Sequence, residues 1–351
     1  VEHQQTGTYT IPAKCWQQTT LPKKVLAIRL QAMGDVIITL PYLQTLRNML
    51  PPATTLDFLT REEVAEIPRY VSLFDKVYAI GGGRSIKKQL LFTAALLPQL
   101  LLQRYDVVID LQHNLISNIV RNTLRPAAWS AFDRFSPIAA GERTRLTIEA
   151  AGLAANYAAE QLQLPAFSTA DVLLQRHGWD KQSMLVILNP AGAFSTRNWA
   201  IENYISFARL WLQAYPQTQF VITGIALIEK KAAQLQAELG SKLINLVLQT
   251  TAAEAFAVVQ KAQLVLTEDS GLMHMAWVSG VPTLALFGST RSDWSAPLGD
   301  HSLLLHSGDL PCGNCMLQTC AYGDNHCLTR YTPELVFDKA IRLVQHTEII
   351  A

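Results

Sequence analysis

Short runs of β-branched and aliphatic residues alternate with stretches of helical apolar spacing along most of the chain, and no other feature narrows the fold as much. Lys24-Val-Leu-Ala-Ile-Arg-Leu30 passes through Gln31-Ala-Met-Gly34 into a segment from Asp35 to Met49 with apolar residues on one helical face. This predicts a strand, a tight loop and a helix. Thr55–Leu59, Lys76–Ile80 and Val107–Asp110 repeat the strand pattern, with helix-like stretches near Glu62 and over Leu90–Leu102. Strands alternating with helices imply a parallel, doubly wound α/β sheet.

Polarity rises between Leu164 and Ser183, and the pattern then restarts. Strands are expected at Met184–Leu188, Phe220–Thr223, Leu243–Leu246, Leu264–Thr267 and Thr283–Phe287. Thr251 and Glu254 have capping-box spacing at the head of one helix, and Thr332-Pro333-Glu334 opens a terminal one. At about 150 residues per domain, 351 residues also suggest two. The expected organisation is a polar tail (1–23), one Rossmann-like domain (24–170), a second (183–330) and a C-terminal helix (331–351). Two such domains would face a central cleft, with ligands outside the carboxyl ends of the strands.

Charge and composition exclude several classes. Lys plus Arg number 29 against 28 Asp plus Glu, a balance unlike that of a nucleic-acid-binding protein. Apolar residues are 49% and charged residues 16%, which argues for large cores and against disorder. No apolar run is long enough to cross a bilayer; Leu90–Leu102 is interrupted by Thr93, Pro98 and Gln99. The first 24 residues lack the apolar core of a secretory signal. Neither G-x-G-x-x-G after the first strand nor G-x-x-x-x-G-K-[ST] occurs, so nicotinamide and P-loop chemistry are disfavoured. Gly81-Gly-Gly83 reads as a flexible turn.

Three loops carry candidate chemistry. Asp35 stands beside Gly34 at a strand-to-helix junction, where it suits either a helix cap or a reactive carboxylate, and the two roles are compatible. Asn189-Pro-Ala-Gly192-Ala-Phe-Ser195-Thr196-Arg197-Asn198-Trp199 offers small residues, two hydroxyls and a guanidinium, which suits a phosphate as well as an ordinary loop. Thr267-Glu-Asp269-Ser270-Gly271-Leu272-Met-His274 precedes a helix whose first N–H groups would attract an anion; His274 by itself reads equally as a packed helix residue.

Taken in order, Arg29-x4-Gly34-Asp35 with Thr39 and Pro41, Asp110-Leu-Gln-His-Asn-Leu-x-Ser117, Pro190-x-Gly192 leading to Arg197-x-Trp199, and Asp269-Ser-Gly-Leu-Met-His274 followed by Pro282 and Phe287-Gly288 resemble glycosyltransferase family 9, the bacterial heptosyltransferases of lipopolysaccharide core assembly. The resemblance runs from about residue 24 to 345. It implies a GT-B architecture and an inverting glycosyl transfer, with no cofactor or metal for catalysis, from a nucleotide sugar, commonly ADP-heptose, to a lipopolysaccharide core or related glycan. By the same resemblance Asp35 is the general base. Ser195, Thr196, Arg197, Asp269, Ser270, Gly271, Leu272 and His274 hold the donor diphosphate, with Glu229 and Thr250 on the nucleoside. The implied setting is the cytoplasm of a Gram-negative bacterium, peripheral to the inner membrane. A GT-B epimerase or hydrolase, or a catalytically silent carbohydrate-binding protein, are the competing readings.

On the acceptor side the expected residues are Gly34, Asn114, Ser117, Arg121 and Arg143. Residues 121–145 hold five arginines against Asp133 and Glu142, a patch that would attract a phosphorylated or Kdo-bearing core. Ile116 departs from the basic residue that many relatives carry there. Cys312-x2-Cys315-x4-Cys320-x6-Cys327 spaces four thiols for a structural zinc or iron, and equally for free thiols or disulfides, with His326 an alternative ligand.

Overall fold

The computed structural model describes residues 11–153, 158–159, 162–165 and 168–350. Residues 1–10 of the polar tail, 166–167 of the boundary stretch and residue 351 of the C-terminal segment lie outside them. The chain divides into two compact units, Val1–Leu164 and Pro165–Ala351.

The first unit contains β1 (Ala13–Lys14), β2 (Lys24–Ile28), α1 (Met33–Met49), β3 (Thr55–Arg61), α2 (Glu66–Tyr70), β4 (Lys76–Ile80), α3 (Ile86–Gln103), β5 (Val107–Asp110), α4 (Leu115–Leu124), β6 (Ala128–Ala131) and α5 (Ala140–Ala150). Its six strands run in the order β1-β6-β5-β2-β3-β4. All neighbours are parallel except β1, which pairs antiparallel with β6 through Ala13↔Ser130. Part of the expected tail thus closes one sheet edge, where an added strand shields unpaired backbone groups. Leu26, Ile28, Leu59, Tyr78, Val108, Ile116 and Val120 form a core between sheet and helices.

The second unit contains α6 (Ser168–Arg176), β7 (Met184–Asn189), α7 (Ile201–Ala214), β8 (Thr218–Gly224), α8 (Glu229–Leu239), β9 (Leu243–Val247), α9 (Ala252–Val259), β10 (Leu264–Glu268), α10 (Gly271–Val278), β11 (Thr283–Leu286), α11 (Ser292–Ser295), β12 (Ser302–Leu305), α12 (His326–Thr329) and α13 (Pro333–Ile350). Its sheet is wholly parallel, in the order β12-β11-β10-β7-β8-β9. All but the half-buried edge strand β12 are buried along nearly their full length, as a sheet covered on both faces requires. Trp199, Tyr204, Phe207, Trp211 and Phe220 dominate its core. Burying each such ring stabilises the fold by roughly 1.5–3 kcal/mol.

In each sheet the chain winds outward in one direction and then in the other. The reversal lies between β2 and β5 in the first unit and between β7 and β10 in the second. Crevices at such reversal points are where open α/β sheets bind ligands. The loops after these four strands carry Asp35, Asn114, Arg197 and Asp269, while Arg143, Glu229, Thr250 and the cysteines follow β6, β8, β9 and β12.

Candidate functional site

In the first unit the Asp35 side chain is 41% exposed, and its Oδ1 lies 3.1 Å from Nη2 of Arg29. Its Oδ2 accepts the Ala32 N–H at 2.9 Å. Asp35 is therefore both helix cap and oriented carboxylate. Arg29 is buried, donates to the Leu111 carbonyl and stands 4.8 Å from the Phe132 ring. Burial lowers its pKa, opposed by the Asp35 charge. Each carboxylate oxygen has more than one lone pair, so Asp35 keeps acceptor capacity beyond these two bonds.

The loop after β5 is bound to the loop after β2. Gln112 Oε1 accepts the N–H groups of Leu30 (2.9 Å) and Gln31 (3.0 Å). Asp110 is fully buried, pairs with Arg121 at 2.9 Å and accepts the N–H of Gln112 and His113. Burial raises the Asp110 pKa in spite of these partners, as desolvation outweighs even a close pair. Arg121 also covers the Trp129 ring at 4.4 Å.

Several expected acceptor residues have other duties here. Asn114 and Ser117 form a reciprocal capping box at the head of α4, and Ser117 is fully buried. Arg121 is committed to Asp110. Arg143 donates to the Asp133 and Arg134 carbonyls at 3.3 Å, with Phe132 against its guanidinium. Arg145 pairs with Glu142 and Glu149. Of the five arginines of the expected basic patch, Arg121 and Arg145 are thus held in ion pairs, whereas Arg143 and Arg134 lie within electrostatic reach of Arg29, and Arg143 also of Asp35. Gly34 sits half-buried next to Asp35.

In the second unit the loops after β7 and β10 are tied together. Arg197 Nη2 lies 2.9 Å from Asp269 Oδ2 and also donates to the Asp269 carbonyl. Asn189 Nδ2 donates to Thr267 Oγ1 and Ser270 Oγ, both at 2.7 Å. Gly192 comes so close to Arg197 that a Cβ would stand 2.4 Å from its carbonyl oxygen. Helix α10 begins at Gly271 without a side-chain cap on Ser270, whereas α4 and α9 each carry a capping box. Its first-turn N–H groups, those of Gly271 and Leu272 included, have no partner within the helix and point along a dipole that favours anions. His274 is buried, and its Nδ1 accepts from Trp277 Nε1 at 3.2 Å, so the neutral ring carries its proton on Nε2.

Glu268 was not expected to matter, although it lies within the quoted motif. Fully buried, it accepts the N–H groups of Gly192 (2.6 Å) and Trp199 (2.7 Å), stapling both ends of the Gly192–Trp199 loop to β10. Burial pushes its pKa up to about 7, with Lys231 only partly offsetting this from 4.0 Å. Burial also lowers the Lys231 pKa. The sequence signal was a lone acid ending an apolar strand; nothing marked Lys231.

Thr196 also differs from expectation. It is buried, and its hydroxyl bonds Ser289 Oγ (2.9 Å) and the Leu317 carbonyl (2.5 Å). Ser195 is exposed, with its hydroxyl on the Gln318 carbonyl at 2.9 Å. Both fasten the cysteine-bearing loop to the Arg197 turn. Glu229 is exposed at the head of α8, and Thr250 Oγ1 meets Thr223 Oγ1 at 2.7 Å. Exposed Ile225, Leu227 and Leu248, missed in the sequence, surround this edge, where the Leu248 N–H donates to the Gly224 carbonyl.

Cys312, Cys315, Cys320 and Cys327 are free and line one cavity of about 270 Å³ with His326. Among the described residues, however, no group of three or more His, Cys, Asp or Glu converges to hold a metal ion. Cys327 packs on the core, and Cys320 Sγ turns to Asp324 Oδ1 at 3.7 Å. The arrangement of the side chains lends the expected zinc or iron no support. Burial and the neighbouring thiols push the Cys327 thiol up. Among the described residues no helix is long and apolar enough to cross a membrane.

A family model described as glycosyltransferase family 9 (heptosyltransferase) matches residues 93–326. Lipooligosaccharide heptosyltransferase 2 of Campylobacter jejuni is 28% identical over 167 residues, 46% of this chain and 51% of that protein. The chain thus spans about half the length of that relative. Lipopolysaccharide heptosyltransferase 1 of Pseudomonas aeruginosa is 26% identical over 360 residues, 89% of this chain and 96% of that one. The fold is that of a family 9 glycosyl transferase from Veillonella parvula (TM-score 0.80, 19% identity, 92% and 97% of the two chains). It is likewise that of the E. coli ADP-heptose lipopolysaccharide heptosyltransferase II (TM-score 0.75, 17% identity, 93% and 99%). Both units are Rossmann-like, as the GT-B class requires.

Proposed function

This chain belongs to glycosyltransferase family 9, and from that premise we propose that it transfers a heptose from ADP-heptose to a lipopolysaccharide core or related glycan in the cytoplasm. The transfer inverts the anomeric centre and uses no catalytic metal. Asp35 takes the proton of the acceptor hydroxyl as its oxygen bonds the anomeric carbon, and the bond from that carbon to the diphosphate oxygen breaks with its electron pair leaving on ADP. One positioned base contributes on the order of 10²–10⁴ in rate to such a step.

Charge develops on the departing diphosphate, and preorganised donors aimed there stabilise the transition state most effectively. Arg197 and the open first turn of α10 are the donors of the second unit suited to that task, with the Ser195 hydroxyl joining them once it turns from the Gln318 carbonyl. Thr196 and His274 support the reading as anchors of these loops. Glu229 and Thr250 suit the ribose hydroxyls, and the exposed Ile225, Leu227 and Leu248 a flat base. Gly34, Asn114 and Arg143 border the acceptor on the first unit.

The observation that carries the reading is the Asp35 carboxylate, open to solvent at the β2/β5 reversal and aimed by Arg29 from beneath. Asp35→Asn and Asp35→Ala are to be assayed with ADP-heptose and a lipopolysaccharide core by mass spectrometry, alongside calorimetric titration with ADP. Turnover is expected to fall about 10²–10⁴-fold with ADP affinity within twofold of the parent. Turnover within tenfold of the parent would remove Asp35 as the base.

A further inference from the structure

Helix α3 is apolar on nearly every side, yet only one side of it is covered. Gln89, Thr93 and Leu100 are buried against the unit, with Leu90, Leu96 and Leu97 packed on its core. Leu91, Ala95, Pro98 and Leu102 follow one another at spacings of four, three and four residues along the opposite, solvent-most line. Leu91 is 69% and Leu102 80% exposed, with Ile86, Phe92 and Leu101 exposed on the shoulders. The buried side even contains the polar contacts, Gln89 to the Gly83 carbonyl and Thr93 to the Gln89 carbonyl, both at 2.7 Å. A surface helix normally shows the reverse pattern, and a contiguous apolar face marks an interaction site.

The charges within the α3 segment have one sign; of the acids that approach its head, Glu63 is paired with Arg61, and Glu62 lies near Gly81 and Phe92. Residues 76–105 contain Lys76, Arg84, Lys87, Lys88 and Arg104 and not one Asp or Glu. Arg84, Lys87 and Lys88 are exposed at the head of α3, and Arg104 at its foot. A shallow groove between α3 and α4, lined by Leu101, Leu115, Ile119 and Leu124 with Asn118, Asn122 and Thr123 between them, continues this surface and ends on another cation, Arg125. An apolar stripe bracketed by basic residues is the pattern of a helix lying in the headgroup region of an anionic bilayer.

We infer that the outer face of α3 is a docking surface for an anionic lipid bilayer, Leu91, Phe92 and Leu102 entering the acyl boundary while Arg84, Lys87, Lys88 and Arg104 meet lipid phosphates. The charge complementarity selects this occupant over an apolar protein partner. The inference deepens the proposed function and rests on it for its purpose, since a lipopolysaccharide precursor is lipid-borne.

The full chain is to be co-sedimented with vesicles of phosphatidylglycerol and phosphatidylethanolamine, and with vesicles of phosphatidylcholine alone, without donor or acceptor. Binding fails or succeeds here independently of glycosyl transfer. The parent protein should partition onto the anionic vesicles, lose that partition with added salt, and largely ignore phosphatidylcholine. Leu91→Asp with Leu102→Asp should weaken partition at least tenfold, and Lys87→Glu with Lys88→Glu similarly. Both variants should unfold at the parent temperature and bind ADP as the parent does, since the altered side chains are exposed. Absence of binding to anionic vesicles, or equal binding by parent and both variants, would overturn the inference. So would a parent dimer that the leucine variant converts to monomer, which would assign the face to a second copy of the chain.

Discussion

Arg29 Nη2 stands 3.1 Å from Asp35 Oδ1, a buried cation at the end of β2 fixing the orientation of a half-exposed carboxylate in the first turn of α1. The same guanidinium reaches the Leu111 carbonyl on the loop after β5, so the proposed base is tied to both strands flanking the reversal. Lys is a point charge without the fork geometry needed to serve both partners. Arg29→Lys should therefore lower kcat tenfold or more, with ADP affinity unchanged by titration. An unchanged kcat would show that Asp35 needs no orientation from beneath.

Asp269 would repel a diphosphate were Arg197 not paired with it at 2.9 Å. Arg197→Ala thus removes a cation and also bares an anion. ADP affinity should fall 10–100-fold, about 1.4–2.7 kcal/mol. Adding Asp269→Asn should recover part of the loss, measured as a double-mutant cycle by calorimetry. Strict additivity would count against this coupling.

Gly192→Ala would set a Cβ 2.4 Å from the Arg197 carbonyl oxygen, a backbone atom with little freedom to withdraw. The Arg197 turn must shift, at about 1–3 kcal/mol. A lower melting temperature together with weaker ADP binding is expected; a lower melting temperature alone would mean that the turn does not touch the nucleotide.

Glu268 binds its proton more tightly in the fold, with a pKa near 7 against 4.5 for the ordinary carboxyl. Between these values the folded state holds more protons than the unfolded one, so stability must fall as pH rises. The contribution is fully present below about pH 4.5 and gone above about pH 7, and amounts to no more than about 3 kcal/mol. Denaturant midpoints from pH 5 to 8 should decline in the parent and flatten in Glu268→Gln. Parallel slopes would assign the decline to other groups. Gln also loses one acceptor oxygen, so the variant should be less stable than the parent at pH 5.

Most parallel strands of both units were legible because buried strands read as continuous aliphatic runs, Val25–Ile28 and Leu185–Leu188 among them. Three strands were not. β6 is Ala-Trp-Ser-Ala and β12 Ser-Leu-Leu-Leu, too short to show a period, and β1 is two residues within a polar stretch. Helix α3 also outran expectation, beginning at Ile86 and not at Leu90. At the site, motif spacing brought out Asp35, Arg197 and Asp269. It could not separate ligand contacts from scaffolding, because a buried Thr196 and an exposed Ser195 look alike in a sequence. The partners of Arg121 and Glu268 depend on contacts across tens of residues, which no local pattern encodes.

Within each unit the strands are largely hydrocarbon, and Asp35, Arg197 and Asp269 stand on the connections after two adjacent strands, with Arg143, Glu229 and Thr250 on the connections after β6, β8 and β9. Chemistry and architecture are thereby written in separate stretches of the chain. Selection for a new sugar or a new hydroxyl therefore acts on a few connecting loops while the strands stay as they are, and a chimera exchanging only those loops between relatives would inherit the specificity of one parent and the stability of the other.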